Sequence, residues 1–428
     1  MNRKGISILL LASLVALGCI AAGCTDMPGA TSADPVPSAG EETADDPGNV
    51  TAGNNRFAFD LYHQLADDPE SAGQNLFFSP YSISSALAIT YEGARGTTAD
   101  EIRSVLHLPA NDTLRREGFA GIDASLNRGD ANYTLRTANA LWAEETYPFL
   151  PDYIETARRW YSANATNLDF KSSPEASRAT INRWVEGQTE DKIRDLLPPG
   201  SIDSLTRLVI TNAIYFKGTW VDQFDANETR EEEFLVSPNE TVLVPMMHRE
   251  DAVYGYTETD TLQVLEMPYA HKSGTELSML VLLPAGDNNL TAAEKVLDAE
   301  TLADLRESLV RERVRVSFPK FTLETEYSLP GTLAAMGMST VFTGAADLSG
   351  MDGTRNLFIT GVFHKAFVDV NEEGTEAAAA TGTVIGVTSA RPDTTPVFKA
   401  DHPFVFLITE NDTGTILFVG RVTNPENS

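Results

Sequence analysis

The order of two apolar periodicities constrains this chain most. In the first half, apolar residues recur at helical spacing, with Ala58, Leu61, Tyr62 and Leu65 on one face. Ser79 before Pro80 puts a capping hydroxyl ahead of a residue suited to a first helical turn, and Gly93 suits that helix's end. Thr98 with Glu101 forms a capping-box pattern leading into Ile102, Val105 and Leu106. Two more helices are predicted over 151–163 and 176–188. Strand-like stretches fall at 133–142, 207–216, 262–267, 277–283, 314–321, 357–370, 397–408 and 415–422, mostly in the second half. Helix and strand do not alternate strictly, which predicts an α+β domain and argues against a doubly wound parallel sheet. No internal repeat or linker interrupts 54–424, so one domain over 54–426 is expected.

Charge and motif searches narrow the function. Sixty-one acidic residues against 32 basic ones leave a net charge of −29, which disfavours nucleic acid as a partner. Both cysteines, Cys19 and Cys24, precede the domain, so a disulfide framework, a thiolate metal site and a cysteine nucleophile are excluded from it. There is no G-x-S-x-G elbow, H-E-x-x-H, P-loop or G-x-G-x-x-G motif, and the 6 histidines lack ligand spacing. The chain is not expected to be an enzyme, and no cofactor or metal is expected. His364, inside an apolar strand pattern, reads first as a hydrogen-bonded core residue.

The N-terminus reads as a leader. Arg3 and Lys4 precede an apolar run from Ile6 to Gly23, the order of a secretion signal over 1–24. Ala21-Ala22-Gly23-Cys24 resembles the lipobox of prokaryotic lipoproteins, which predicts lipidation at Cys24 and membrane attachment there; Cys19 is the second choice. A plain signal peptide or an uncleaved anchor are the alternatives, and all of these place the domain outside the cytoplasm. Residues 25–53, rich in Thr, Ser, Pro, Ala, Gly and Asp, are expected to be a disordered tether. Asn-x-Thr sequons occur at Asn49, Asn111, Asn132, Asn164, Asn227, Asn239, Asn289 and Asn411.

The segment 371–395 is unlike the rest. It links two convincing strands without a helix of its own, and connections this long are usually functional or disordered. Read with a period of two, Thr375, Ala377, Ala379, Thr381 and Thr383 share one face of small uncharged residues, with Glu376 on the other. Such a strand could enter a crowded sheet interior without burying a charge. Helix over Ala377–Ala380, or a plain surface loop, are the competing readings.

At this point the chain resembles the serpin family, over about 54–425. The resemblance is carried by Asn75-Leu76-Phe77-Phe78-Ser79-Pro80-Tyr81-Ser82-Ile83, Gly93-Ala94-Arg95-Gly96-Thr97-Thr98 and Thr211-Asn212-Ala213-Ile214-Tyr215-Phe216-Lys217-Gly218-Thr219-Trp220. Phe318-Pro319-Lys320-Phe321, His364-Lys365-Ala366-Phe367, the run 371–380, Asp401-His402-Pro403-Phe404 and Phe418-Val419-Gly420-Arg421 follow in family order. The resemblance implies three β-sheets, about nine helices and an exposed reactive-centre loop over about 371–395, in a metastable native state. It implies a monomeric serine-type endopeptidase inhibitor acting as a suicide substrate: the protease forms an acyl-enzyme, and the cleaved loop then inserts into the large sheet. About 14 inserted residues at ~3.3 Å each span ~45 Å, the length of a domain.

By family spacing the scissile bond is Thr388-Ser389, which suits elastase- or subtilisin-like targets; Ser389, Ala390 and Arg391 are the other candidate cleavage positions, the last disfavoured by Pro392. Glu372, Glu373, Gly374, Thr375, Glu376, Ala377, Ala378, Ala379 and Ala380 match the hinge. Ser79, Ser82, Asn212 and His364 match the shutter, where hydrogen bonds hold the sheet closed. Trp220 and Lys320 match the breach, with an ion pair from Lys320 to Glu372 bracing the point where the loop enters. The alternative is a non-inhibitory serpin-fold carrier or chaperone, which often carries bulky, charged or proline residues at the hinge.

Overall fold

A computed structural model describes residues 49–69, 71–286, 289–375 and 394–427. The leader, Cys24, nearly all of the tether, Glu376 to Ala380, and the candidate cleavage positions Thr388, Ser389, Ala390 and Arg391 lie outside the described residues. The chain runs α1 (Val50–Ala66), β1 (Leu76–Phe78), α2 (Pro80–Gly93), α3 (Gly96–Val105), α4 (Asp112–Leu126), β2 (Tyr133–Glu144), α5 (Pro151–Tyr161), β3 (Asn164–Leu168) and α6 (Pro174–Gln188). Then come β4 (Leu208–Thr219), β5 (Arg230–Ser237), β6 (Glu240–Glu258), β7 (Leu262–Pro268), β8 (Leu277–Pro284), α7 (Leu290–Glu294), α8 (Ala299–Glu307), β9 (Val310–Pro319) and β10 (Phe321–Ser328). The last stretch holds α9 (Pro330–Ala335), a 3-10 turn, α10 (Ser349–Asp352), β11 (Ile359–Asn371), β12 (Gly374–Thr375), β13 (Val397–Lys399), β14 (Phe404–Glu410) and β15 (Ile416–Val422). The fold is α+β, as its periodicities predict.

Several boundaries shift for physical reasons. The domain begins at Val50, not after residue 53, because Asn49 accepts the Thr51 N–H and caps a helix whose Val50, Thr51 and Gly53 are already buried. The capping box at Thr98 does not form: α3 starts at Gly96, Thr98 Oγ1 accepts the Asp347 N–H, and the Glu101 carboxylate accepts from Thr340. Lys320 divides the stretch 314–321 between β9 and β10. Likewise 400–403 divides 397–408 between β13 and β14. Three of the sequon asparagines, Asn49, Asn111 and Asn289, cap helices with their side chains.

The described strands form two hydrogen-bonded sheets, where the resemblance implies three, and ten α-helices accompany the 3-10 turn. The nine-stranded sheet is continuous because the 19-residue β6 pairs with β5, β7 and β9, passing a register shift between Arg249 and Ala252. The six-stranded sheet runs β10-β11-β12-β4-β2-β3, with β11 also pairing β4. Leu208, Ile210, Ile214 and Phe216 face the main core shared with α1 and α2. Val209 and Ala213 face a second cluster with Trp142 of β2 and Ile181 and Val185 of α6. Burial on both faces explains why β4 reads as a nearly unbroken apolar run.

Candidate functional site

The six-stranded sheet contains a parallel seam. β11 and β4 pair in parallel from Ile359↔Leu208 to Phe367↔Tyr215, while β10 and β2, on their outer sides, pair with them antiparallel. Parallel pairing is slightly weaker per residue. Above Phe367 and Tyr215 the two strands part and β12 occupies the gap, antiparallel to both: Thr375 lies opposite Val370 of β11 and Gly218 of β4. The chain thus turns back at Glu372–Glu373 and starts down between its own neighbours.

Close backbone approach makes this turn possible. A Cβ on Gly374 would lie 1.9 Å from the Gly218 carbonyl oxygen, and one on Gly218 would meet the Phe216 and Tyr269 rings at 2.7 Å. Thr375 is fully buried, and its hydroxyl lies 3.0 Å from the Tyr269 hydroxyl. Tyr269 stacks on Trp220 at 4.5 Å, and the Trp220 indole donates to the Asn371 carbonyl at 3.1 Å. The backbone N–H groups of Trp220 and Phe224 donate to the carbonyls of Glu373 and Glu372. Lys320 Nζ lies 2.8 Å from the Glu372 carboxylate, whose other oxygen accepts from Thr229. Burial pushes the Glu372 carboxyl up, but Lys320 and Thr229 outweigh it and hold it below the usual carboxylate range. Burial likewise pushes the Tyr269 phenol well up, so it stays a neutral hydroxyl.

Lower in the seam, one row of side chains crosses four strands: Tyr327 of β10, His364 of β11, Asn212 of β4 and Asn139 of β2 are register partners in turn. Ser79 N–H donates to His364 Nε2 at 3.1 Å, so the ring proton sits on Nδ1 and donates to Asn212 Oδ1. The Asn212 amide donates to Asn139 Oδ1 at 2.7 Å and to Ser82 Oγ. Ser79 Oγ accepts the Ser82 N–H at the start of α2. The His364 ring also lies nearly parallel to that of Tyr327. Complete burial pushes the imidazole down to about 3, so it is neutral at physiological pH.

The structure therefore brings Ser79, Ser82, Asn212 and His364 into one network, and Trp220, Lys320 and Glu372 to Thr375 into another. Asn139, Thr229, Tyr269 and Tyr327 belong to them too and escape sequence reasoning. Asn139 carries the clearest signal, as an asparagine inside a strand pattern. Nothing local marks Tyr269, which is an ordinary aromatic until Gly218 and Gly374 are brought beside it.

The site is thus a parallel seam whose upper end already holds the start of an antiparallel strand, β12, between β4 and β11. The sequence pattern described as Serpin (serine protease inhibitor) matches residues 52–425. The chain is 43% identical over 383 residues to the leukocyte elastase inhibitor of Bos taurus, covering 88% of this chain and 99% of that one. It is 43% identical over 375 residues to a serpin-like protein of Thermococcus kodakarensis, covering 87% of this chain and 85% of that one. Among solved structures it is similar to uncleaved ovalbumin, with TM-score 0.78 and 32% identity, over 88% of this chain and 100% of that one. Human thyroxine-binding globulin in complex with thyroxine gives 0.78 and 30%, over 88% and 98%. The chain belongs to the serpin family, whose members of this description are protease inhibitors and not catalysts.

Proposed function

We propose that the chain inhibits extracellular serine proteases as a suicide substrate, with the scissile bond at Thr388-Ser389 and elastase- or subtilisin-like enzymes as targets. The observation that carries this reading is β12, a strand already started between β4 and β11. Cleavage frees the rest of the loop to continue it. Insertion would exchange one parallel ladder of eight register pairs for two antiparallel ladders. At roughly 0.5–1.5 kcal/mol net per bond, one additional ladder of that length contributes about 4–12 kcal/mol, comparable to a domain's whole stability. The face that starts with buried Thr375 would continue through Ala377, Ala379, Thr381 and Thr383, none of which brings a charge inside. The same register brings Thr381 opposite both Asn212 and His364, where its hydroxyl would replace the bond that insertion breaks. The relatives named leukocyte elastase inhibitor support the choice of target class.

The experiment is incubation of the full chain with elastase-, subtilisin-, chymotrypsin- and trypsin-like proteases. A complex stable in denaturant and a cleaved bond located by mass spectrometry are expected. Thr375→Arg should turn the inhibitor into a substrate that is cut without trapping; trapping at the parental stoichiometry would refute the reading. For the leader, the same proposal expects a secreted chain lipidated at Cys24, which mass spectrometry of the mature N-terminus checks.

A further inference from the structure

We propose that the outer face of β9, β6, β5 and β13 is a docking surface for carboxylates on the rim of the attacking protease. The inference rests on the inhibitory reading above. On β9, Arg311, Arg313 and Arg315 recur at every second position, on the face opposite buried Val314 and Val316. Arg230 of β5, Arg249 of β6 and Lys399 of β13 join them, and four of these cations line one open cavity of about 320 Å³. Arg230 and Arg313 are 64% and 61% exposed. Arg249, 30% exposed, is held in place by the Gln223 carbonyl, which accepts from its Nη1 at 2.9 Å, and by Asp222 at 3.7 Å. On a chain with net charge −29, a cavity lined by four cations and two carboxylates, Glu232 and Glu250, is a local excess of positive charge on a surface that otherwise repels acidic proteins.

Its place ties it to the loop. The Arg315 N–H donates to the Pro396 carbonyl at 2.9 Å, and Val397 is the register partner of Arg315. The patch is therefore built on the strand pair that holds the chain just after the loop. Thr395 follows Ser389 by six positions in the chain, a reach of at most ~22 Å. A protease seated on the proposed bond would lie within that reach of the strand pair that carries these arginines. The pattern of signs favours a protein over a sulfated or phosphorylated polymer. Glu232 lies against Arg230 and Lys399, and Asp251 against Arg313, so a uniform row of anions would meet carboxylates where a protein rim of mixed charges would not.

The test pairs the full chain with an anionic and a cationic elastase, each also prepared with its nucleophilic serine changed to alanine. The Arg313→Glu/Lys399→Glu double variant changes two exposed side chains that contact no residue of the hinge network. At low salt it should bind the inactive anionic elastase about 10-fold more weakly and associate with the active one about 10-fold more slowly. The difference should vanish near ~0.5 M salt and be absent with the cationic enzyme, and the stoichiometry of trapping should stay parental. Equal binding of the inactive anionic enzyme by parent and variant at every ionic strength would overturn the proposal. So would a patch that binds heparin while leaving protease association unchanged. Failure of the parent to trap any active protease would instead count against the inhibitory reading, while the inactive enzymes still report on the patch.

Discussion

Acidification should loosen the seam through one histidine. His364 is neutral in the fold because burial pushes it down to about 3 from 6.5, and its Nε2 must stay bare to accept the Ser79 N–H. Protonation would set two donors against each other in a fully buried site. Between pH 6.5 and about 3 the unfolded chain holds a proton that the folded chain refuses, so stability falls as pH drops through that window. At pH 5 the cost is about 1.5 × 1.36, or ~2 kcal/mol, and it approaches ~5 kcal/mol near pH 3. With an unfolding entropy of roughly 0.8 kcal/mol/K for about 370 residues, ~2 kcal/mol lowers the melting midpoint by ~2.5 °C. The assay compares the parent with His364→Gln at pH 7 and pH 5. The variant carries its own fixed penalty, which cancels in the difference, as do the other titrating groups, including His248 and His402. The parent should lose ~2.5 °C more than the variant between the two pH values. Equal losses would refute the claim that this imidazole is held neutral by its surroundings.

Three further outcomes concern other positions along the seam. Gly374→Ala places a methyl group against the Gly218 carbonyl, so β12 should be expelled at a cost of roughly 2–3 kcal/mol or more, read as lost hydrogen-exchange protection at Thr375. Lys320→Ala removes the cation from a carboxylate that is only 12% exposed; because Lys320 is itself about one-third exposed, the loss should be no more than about 1 kcal/mol, with the Glu372 titration moving up by NMR. On the proposed register, in which Thr381 would meet Asn212 and His364 only after insertion, Thr381→Val should leave the intact protein's melting unchanged and lower that of the loop-cleaved form; an equal change in both would count against the register.

Much of the architecture could be read from the residues because burial repeats along them. The face of α1, the Ser79-Pro80 start of α2 and the apolar run of β4 all follow from spacing and capping chemistry. β6 could not be read this way. Pro245 and the charged stretch His248 to Asp251 interrupt its alternation, and the register shift there needs partner strands to define it. The two side-chain networks were legible only through the family resemblance. His364 and Asn212 are 152 residues apart and look like unremarkable polar residues in two strands until the sheet sets them side by side. Tyr269 shows the same limit, since its role depends on two distant residues having no side chain.

The Gly374–Gly218 contact has a consequence for timing as well as for space. An incoming strand must choose its alignment, and a slip by one residue would turn Glu376 and every second residue after it inward. With Thr375 already locked opposite Val370 and Gly218, that choice is made before any peptide bond is cut. On the proposed mechanism, what remains after cleavage would be zippering in a fixed frame, and the race against hydrolysis would start without a search.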